Sequence, residues 1–317
     1  MVRKAESSSR LDDAARAGWL YYVAGRTQDE IASAMGIARQ SAQRLVSLAM
    51  AERLVKVRLD HPIAACLELG ERLRERFDLR QVTIVPSDPS SSSTTIGIAE
   101  AGAAEIERWL KSSDPQIIAI GTGRTLKAAI DQLPAMECPQ HRIVSLTGNI
   151  GLDGSAAYYN VIFSMADAVK ARHFPMPLPV LVSSPEEREV LHNQVLVRSA
   201  LQLGAEANVA FVGIGELGEN APLCEDGFLE RDEMVRLMGE GAAGEICGWM
   251  FDHDGRMLSG SINQRVASVP LPSRESATVI GMAKGRRKYD ALRAALRGRV
   301  INGVITDEAT AQFLLED

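Results

Sequence analysis

The sequence predicts an N-terminal all-α winged helix-turn-helix joined to a C-terminal α/β domain, and three observations carry that prediction. Residues 27–53 hold two helical patterns broken at Met35-Gly36-Ile37, with an extended stretch after them. From residue 96 onward, short apolar runs alternate with amphipathic helical patterns, which indicates a largely parallel sheet covered on both faces. Charge is divided too: residues 1–60 carry 10 Lys+Arg against 7 Asp+Glu, the other 257 carry 25 against 34, and the net is −6. A length of 317 residues suits two domains of about 100–200 residues each. The expected division is a head at 1–60, a linker helix at 61–80 and a body at 81–317.

In the head, residues 12–24 have apolar positions at helical spacing, with Trp19, Tyr21 and Tyr22 expected in its core and residues 5–11 expected to fray. Thr27 is a suitable N-cap, and Glu30 three residues later completes a capping box. Ala32 suits a close helix crossing, and Gly36 suits a turn whose backbone disfavours other residues. Ile31, Met35, Ile37, Leu45 and Val46 are expected to form the small core. That arrangement turns Arg39, Gln40, Ser41, Gln43 and Arg44 outward, side chains suited to base edges and phosphates in a major groove. The stretch LVKVRLDHP at 54–62 is the expected wing, with Lys56 and Arg58 placed to reach a DNA backbone. A mildly basic head on an acidic body fits a double-stranded DNA partner. The plainer alternative is a helical hairpin with a solvated polar face.

In the body, residues 62–77 form a helical pattern and PSDPSSSS at 86–93 a loop. Strands are expected at 117–120, 142–146, 179–182, 208–213, 278–282 and 300–305. Helices are expected at 100–111, 124–132, 155–171, 186–203, 287–297 and 307–315. The strand IIAI runs into GTGRTLKAAID at 121–131, the arrangement of a phosphate cradle. Glycines let backbone amides approach an anion, Thr122 and Thr125 supply hydroxyls, and Arg124 supplies charge. No GK[ST] follows and the pattern is not GxGxxG, which disfavours a nucleotide. By itself the motif is weak, since a glycine turn before a helix is more often only a turn.

Three further strand ends accompany it. LTGN brings Gly148 and Asn149, VGIGELGEN brings Gly215, Glu216 and Asn220, and GMAKGRRKYDAL brings Arg287 and Lys288. Together they suggest a sugar-phosphate pocket at one rim of the sheet. Asn263 and Arg265 are candidates for a ligand hydroxyl or a subunit interface. Asp226 and Glu230 fit a solvated loop and helix start better than a sugar site. His173 is expected to be structural and Cys247 a buried small hydrophobe.

The four cysteines contain no CxxC pair and the five histidines no i, i+4 pair, so neither a disulfide scaffold nor a metal centre is expected, and no cofactor is called for. Such cysteine usage favours a reducing cytoplasm. No run approaches the roughly 18 apolar residues of a membrane span, and the N-terminus lacks the apolar core of a secretory signal.

The helix-turn-helix, GTGRTL, LTGN, VGIG, GAAGEICGWMFDHDG (241–255) and AALRGRVINGVITDEATAQFLL (294–315) together resemble the SorC/DeoR-type sugar-binding transcriptional regulators of bacteria. The resemblance implies a Rossmann-like effector domain similar to the sugar-phosphate isomerase and glucosamine-6-phosphate deaminase fold. It implies operator DNA as one partner, a phosphorylated sugar or polyol as effector, and a dimeric or tetrameric homo-oligomer in the cytoplasm, bound to the nucleoid when on DNA. Gly121, Thr122, Gly123, Arg124 and Thr125 would hold the phosphate, with Lys288 completing the grip. Two departures bear on the ligand: Lys284 precedes Gly285 where the family usually shows two glycines, and Gly244-Glu245 stands where members often have Gly-Asp. Repression relieved by ligand is the expected mode for a carbohydrate or polyol operon. The competing reading is an isomerase or deaminase with a DNA-binding appendage. Proton transfer needs a carboxylate beside the carbon acid, and SLTGNIG offers none, leaving Asp153 and the 216–219 stretch without a histidine. Binding without catalysis is therefore expected.

Overall fold

A computed structural model describes residues 2–52, 54–57, 63–91, 93–150, 155, 159–218, 221–225 and 228–316. The chain divides into two compact units, Met1–His61 and Pro62–Asp317.

In the first unit, α1 (Val2–Tyr22), α2 (Gln28–Met35) and α3 (Arg39–Ala51) enclose Ala17, Ile31, Ala32, Ala42 and Val46, with Leu20, Met35, Ile37 and Leu45 packed around them. Thr27 caps α2 reciprocally: the Glu30 amide donates to its hydroxyl at 3.4 Å, and the Thr27 amide donates to the Glu30 carboxylate at 2.8 Å. Gly36 then takes the left-handed conformation (φ 67°), and the Ile37 amide closes on the Ala32 carbonyl at 3.0 Å. That pattern ends α2 and starts α3 three residues later.

Two expectations for the head fail. The stretch expected to fray belongs to one continuous helix from Val2. Trp19, Tyr21 and Tyr22 are exposed, Trp19 by 55%, because α1 meets α3 through small residues instead. Ala14 and Ala17 are fully buried, and a Cβ on Gly18 would stand 2.8 Å from that of Ala49. Leu54–Val57, the described part of the expected wing, contains no strand, and Arg58 lies outside the described residues.

The second unit begins with α4 (Ala64–Phe77) and β1 (Gln81–Val85), then α5 (Ile98–Leu110), β2 (Ile117–Ile120), α6 (Arg124–Ile130), β3 (Arg142–Ile150), α7 (Val161–Val169) and β4 (Arg172–Pro179). There follow α8 (Pro185–His192), α9 (Val195–Ala205), β5 (Val209–Gly213), α10 (Pro222–Glu225), α11 (Arg231–Gly239), and the hairpin β6 (Ala242–Ile246) and β7 (Trp249–Asp252). The chain closes with α12 (Ser261–Arg265), β8 (Thr278–Met282), a short 3-10 turn at Arg286–Lys288, α13 (Tyr289–Arg297), β9 (Gly303–Asp307) and α14 (Glu308–Leu315).

Seven strands form one parallel sheet in the order β1-β9-β8-β5-β2-β3-β4. The strand period of two divides their side chains between two cores. Ala119, Ala210, Val212, Val279 and Val304 join Leu69, Leu73, Leu203, Leu292 and Leu314 on one face. Ile118, Ile120, Val209, Phe211, Ile280 and Ile305 join Ile98, Ile106, Leu126 and Met165 on the other. Burying a side chain such as Phe211 or Leu126 contributes about 1.5–3 kcal/mol. The helix expected as a linker is α4, whose Leu69, Leu73 and Phe77 are buried in the first of these cores.

Candidate functional site

A cavity of about 800 Å³ opens at the carboxyl edge of the sheet. Ser87 and Asp88 follow β1, Thr122 to Thr125 follow β2, Gly215 and Glu216 follow β5, Lys284 to Tyr289 follow β8, and Asp307 ends β9. An open parallel sheet binds ligands at this edge, because successive loops diverge there and leave a crevice between them.

The GTGRT stretch is built as follows. The Gly121 amide is used by the sheet, donating to the Phe211 carbonyl at 2.9 Å, and a Cβ on Gly121 would press within 3.1 Å of the Cys247 sulfur. Thr122 donates its hydroxyl to the Tyr159 carbonyl at 3.2 Å. Gly123 sits at φ 115°, a conformation L side chains rarely adopt, and starts α6. Because α6 has only seven residues, its dipole adds little. The loop, the Arg124 guanidinium and the Thr125 hydroxyl therefore carry the cradle. Arg124 is exposed to the cavity and makes no hydrogen bond or ion pair with a described residue.

Next to it, the hairpin β6–β7 supplies a second stretch of wall. Gly215 and Glu245 exchange backbone hydrogen bonds at 2.9 and 3.1 Å, and any Cβ on Gly215 would collide with the Glu245 carboxylate. The Gly248 amide donates to that carboxylate at 2.8 Å. Loss of water raises the Glu245 carboxyl above its ordinary 4.5, and Glu216 nearby adds to the rise while Gly248 and Lys288 oppose it. The two-residue turn Cys247-Gly248 has both residues at positive φ, 55° and 87°, as a tight hairpin requires. Cys247 is buried as expected, and burial pushes its thiol up to about 12.

Lys288 is not idle: its ammonium is paired with the Glu216 carboxylate. Asp307 caps α14, accepting from the Thr310 amide at 3.1 Å. The Ser90 amide and hydroxyl donate to Asp88 at 2.9 and 2.6 Å and hold its carboxyl below the usual range. The lining thus includes Asp88, Glu216, Glu245 and Asp307, so the expectation that Asp153 and the 216–219 stretch are the only nearby carboxylates is corrected. Each of the four is engaged by a protein donor, and no histidine lines the cavity among the described residues. Five cations, Arg124, Lys284, Arg286, Arg287 and Lys288, outnumber them, which suits an anionic ligand.

Of the residues singled out in the sequence, Thr122, Gly123, Arg124, Thr125, Gly215, Glu216, Arg287 and Lys288 line this cavity. Gly121, Gly148 and Asn263 do not. Gly148 lies where β3 and β4 approach so closely that a Cβ would run into the Leu178 carbonyl. Asn263 is buried and clamps β7, accepting from the Met250 amide at 2.8 Å and donating to the Met250 and Leu258 carbonyls at 2.8 and 2.9 Å. Arg265 pairs with Glu233, also away from the cavity, as are Glu230 and His173. The Asn149 side chain, Asp153, Glu219, Asn220 and Asp226 lie outside the described residues.

Sequence reasoning named Glu245 and Lys284 only as departures from the family pattern, and it missed Ser91, Ser93, Thr94, Tyr159 and Tyr289 on the lining. The signal for the serines was available: QVTIV before PSDPSSSS is a strand, and its loop had to fall on the same edge as GTGRT.

In the first unit, Arg39, Gln40, Gln43 and Arg44 are exposed along α3, Ser41 is half-buried, and Lys56 is exposed. Arg39 stands 3.3 Å from Asp29. Among the described residues no cluster of His, Cys, Asp and Glu could hold a metal ion, and no helix is long and apolar enough to cross a membrane.

Comparison with known proteins assigns this geometry to a family. A family described as "Putative sugar-binding domain" matches residues 61–316. The chain is 32% identical over 302 residues to the erythritol catabolism regulatory protein EryD of Brucella abortus (strain 2308), covering 95% of this chain and 96% of EryD. It is 30% identical over 309 residues to the transcriptional regulator LsrR of Enterobacter sp. (strain 638), covering 95% and 92% of the two chains. The full-length sorbitol operon regulator SorC from Klebsiella pneumoniae superposes with a TM-score of 0.71 at 25% identity over 96% of this chain and 98% of that one. On its sequence, its parallel-sheet body and the reach of these matches, the chain belongs to the SorC-type sugar-binding transcriptional regulators.

Proposed function

We propose that this regulator is a repressor of a carbohydrate or polyol catabolic operon, released from DNA by a phosphorylated sugar or polyol bound in the second unit. The observation that carries the reading is the cavity itself. The GTGRT loop, the cationic stretch Lys284–Lys288 and the polar ends of β1, β5 and β9 face one space of about 800 Å³, large enough for a sugar phosphate. In this reading the phosphate lies against Gly123, Arg124 and Thr125, with Lys288 reaching it from the other side. Glu216 holds Lys288 in place until the phosphate arrives. Asn149 retains its expected role at the ligand. Gly121 and Gly148 act indirectly, by allowing close backbone packing behind the wall.

On the DNA side, Arg39, Gln40, Gln43 and Arg44 read base edges and phosphates from the exposed face of α3, with Ser41 beside them. Lys56 and Arg58 reach the flanking backbone. A homo-oligomer, dimer or tetramer, in the cytoplasm binds paired half-sites through two such helices. The ligand acts by favouring the oligomer state with lower DNA affinity, which requires unequal ligand affinities for the two states. The cavity binds and does not turn over its ligand, since its carboxylates are committed to protein donors and, among the described residues, no histidine accompanies them.

A thermal-shift screen of phosphorylated sugars and polyols tests the effector assignment. A true effector at 100 times its Kd stabilises the native chain by about 2.7 kcal/mol, and Arg124→Ala should abolish that stabilisation. Stabilisation undiminished in Arg124→Ala would place the phosphate elsewhere. Turnover of any sugar phosphate, lost on changing one lining carboxylate, would favour the enzyme reading.

A further inference from the structure

One charge in the first unit works against DNA binding. Asp29, in the first turn of α2, stands 3.3 Å from Arg39, the first residue of α3, with its Oδ1 against the guanidinium Nε. Both side chains are exposed, Arg39 by 68% and Asp29 by 71%. An ion pair in that setting contributes little to stability, so folding does not account for it. A carboxylate beside a face that meets DNA also repels the phosphate backbone and weakens binding to every sequence. The neighbouring acid is different, because Glu30 caps α2 and pairs with Arg26. Among the described residues, Asp29 has no side-chain partner but Arg39.

What the pair supplies is orientation. A free arginine samples many rotamers and loses that freedom when it binds, and a partner already in place removes part of the cost. The contact is at Nε, on one edge of the guanidinium, and the two terminal nitrogens make no ion pair or hydrogen bond with a described residue. Those nitrogens form the fork that matches O6 and N7 of guanine in the major groove, the commonest specific contact to DNA. Position agrees, since a recognition helix reads bases from its N-terminal residues and Arg39 opens α3. Asp29 is itself held on a fixed element, for α2 is capped at Thr27 and buried through Ile31 and Ala32. Gln40, Gln43 and Arg44 share the exposed face, and none of them is tied to another described side chain. Arg39 is the residue set in place before DNA arrives.

We infer that Arg39 reads a guanine in the operator and that Asp29 is its positioning residue, lowering affinity for all DNA while sharpening discrimination at one base pair. This rests on the reading of α3 as the recognition helix and names the base it recognises. An acid in the first turn of α2 also suits the positive end of that helix, but that effect operates without Arg39 and carries no preference among bases. The charge of Asp29 and its contact with Arg39 therefore have separable consequences.

In vitro selection by the full-length protein from a random duplex library tests this, followed by competition titrations in which each base pair of the selected site is replaced in turn. At one position guanine should be preferred roughly 5–150-fold, and Arg39→Ala should erase that preference. Asp29→Ala should reduce it by about two- to fivefold at that position only, and should tighten binding to an unrelated duplex. Asp29→Asn keeps an acceptor without the charge, so it should tighten non-specific binding equally and retain most of the preference. In the Arg39→Ala background, Asp29→Ala should change that position no further. Asp29→Ser, too short to reach Arg39, repeats the measurement if the alanine variant melts early. A selected site with no guanine that depends on Arg39 would overturn the inference and leave the α3 reading standing. So would a preference unchanged in folded Asp29→Ala, or an equal loss at every position, which marks a structural role. A parent chain that selects no sequence would remove the α3 reading, and this inference with it.

Discussion

Gly36, Asn263 and Glu245 each perform a task that a neighbour in sequence could not. Gly36 holds φ 67° with open space where a Cβ would point, so Gly36→Ala introduces backbone strain without a clash. It should cost about 1–2 kcal/mol, read as a lower unfolding midpoint of the head with helices intact by circular dichroism. Asn263→Ala removes three hydrogen bonds and strands the amide of Met250 in the interior, while the Met250 carbonyl keeps the Leu258 amide at 3.0 Å. The expected loss is on the order of 3 kcal/mol in denaturant unfolding, and a loss near zero would contradict the clamp. Glu245 predicts a pH dependence. Its folded pKa is raised above the unfolded value, so its favourable contribution is complete below about 4.5, its unfolded pKa, and is lost as pH rises through the folded value. Glu245→Gln should therefore be more stable than the parent at neutral pH and show a flatter stability profile above 4.5. Parallel profiles for the two proteins would place the titration elsewhere.

Among the elements, α3 carries the DNA-binding proposal and the strand ends carry the cavity. Arg44→Ala should weaken operator binding by about 1–3 kcal/mol, measured by fluorescence anisotropy, with calorimetric ligand affinity unchanged. An unaltered operator affinity would remove α3 from the interface. The elements most legible in the sequence were those with one dominant signal. The capping box at Thr27 and the turn at Gly36 fixed α2, and the apolar runs at 117–120 and 278–282 fixed β2 and β8. Other elements were obscured by their position in the fold. β1 lies at one edge and is half-buried along its whole length, so its residues alternate weakly. β4 was expected at 179–182 and occupies Arg172–Pro179. Its three prolines argue against a central strand, but β4 is the other edge, where a missing amide donor is tolerated. The β6–β7 hairpin turns on Cys247-Gly248, without the Asn-Gly or Asp-Gly signal that usually marks such turns. Because the hairpin was missed, so was the place of Glu245 on the wall, and the cavity could not be closed from sequence.

At the scale of the whole molecule, the proposed function requires two separately built units to be coupled: occupation of the cavity changes what the head does on DNA. Neither unit alone requires it. The cavity has the charge and size for a sugar phosphate, and α3 has an exposed polar and cationic face. Coupling between them must appear as a change in one affinity when the other ligand is present, and by linkage the change is reciprocal. The most direct measurement is operator binding by the full-length protein and by Arg124→Ala, each titrated with and without a sugar phosphate that stabilises the parent chain. Both proteins should bind DNA equally in the absence of sugar, and only the parent should lose affinity when it is added, by about 5–150-fold for a coupling of 1–3 kcal/mol. An equal response in Arg124→Ala, or no response in the parent to a sugar that demonstrably binds it, would contradict the account.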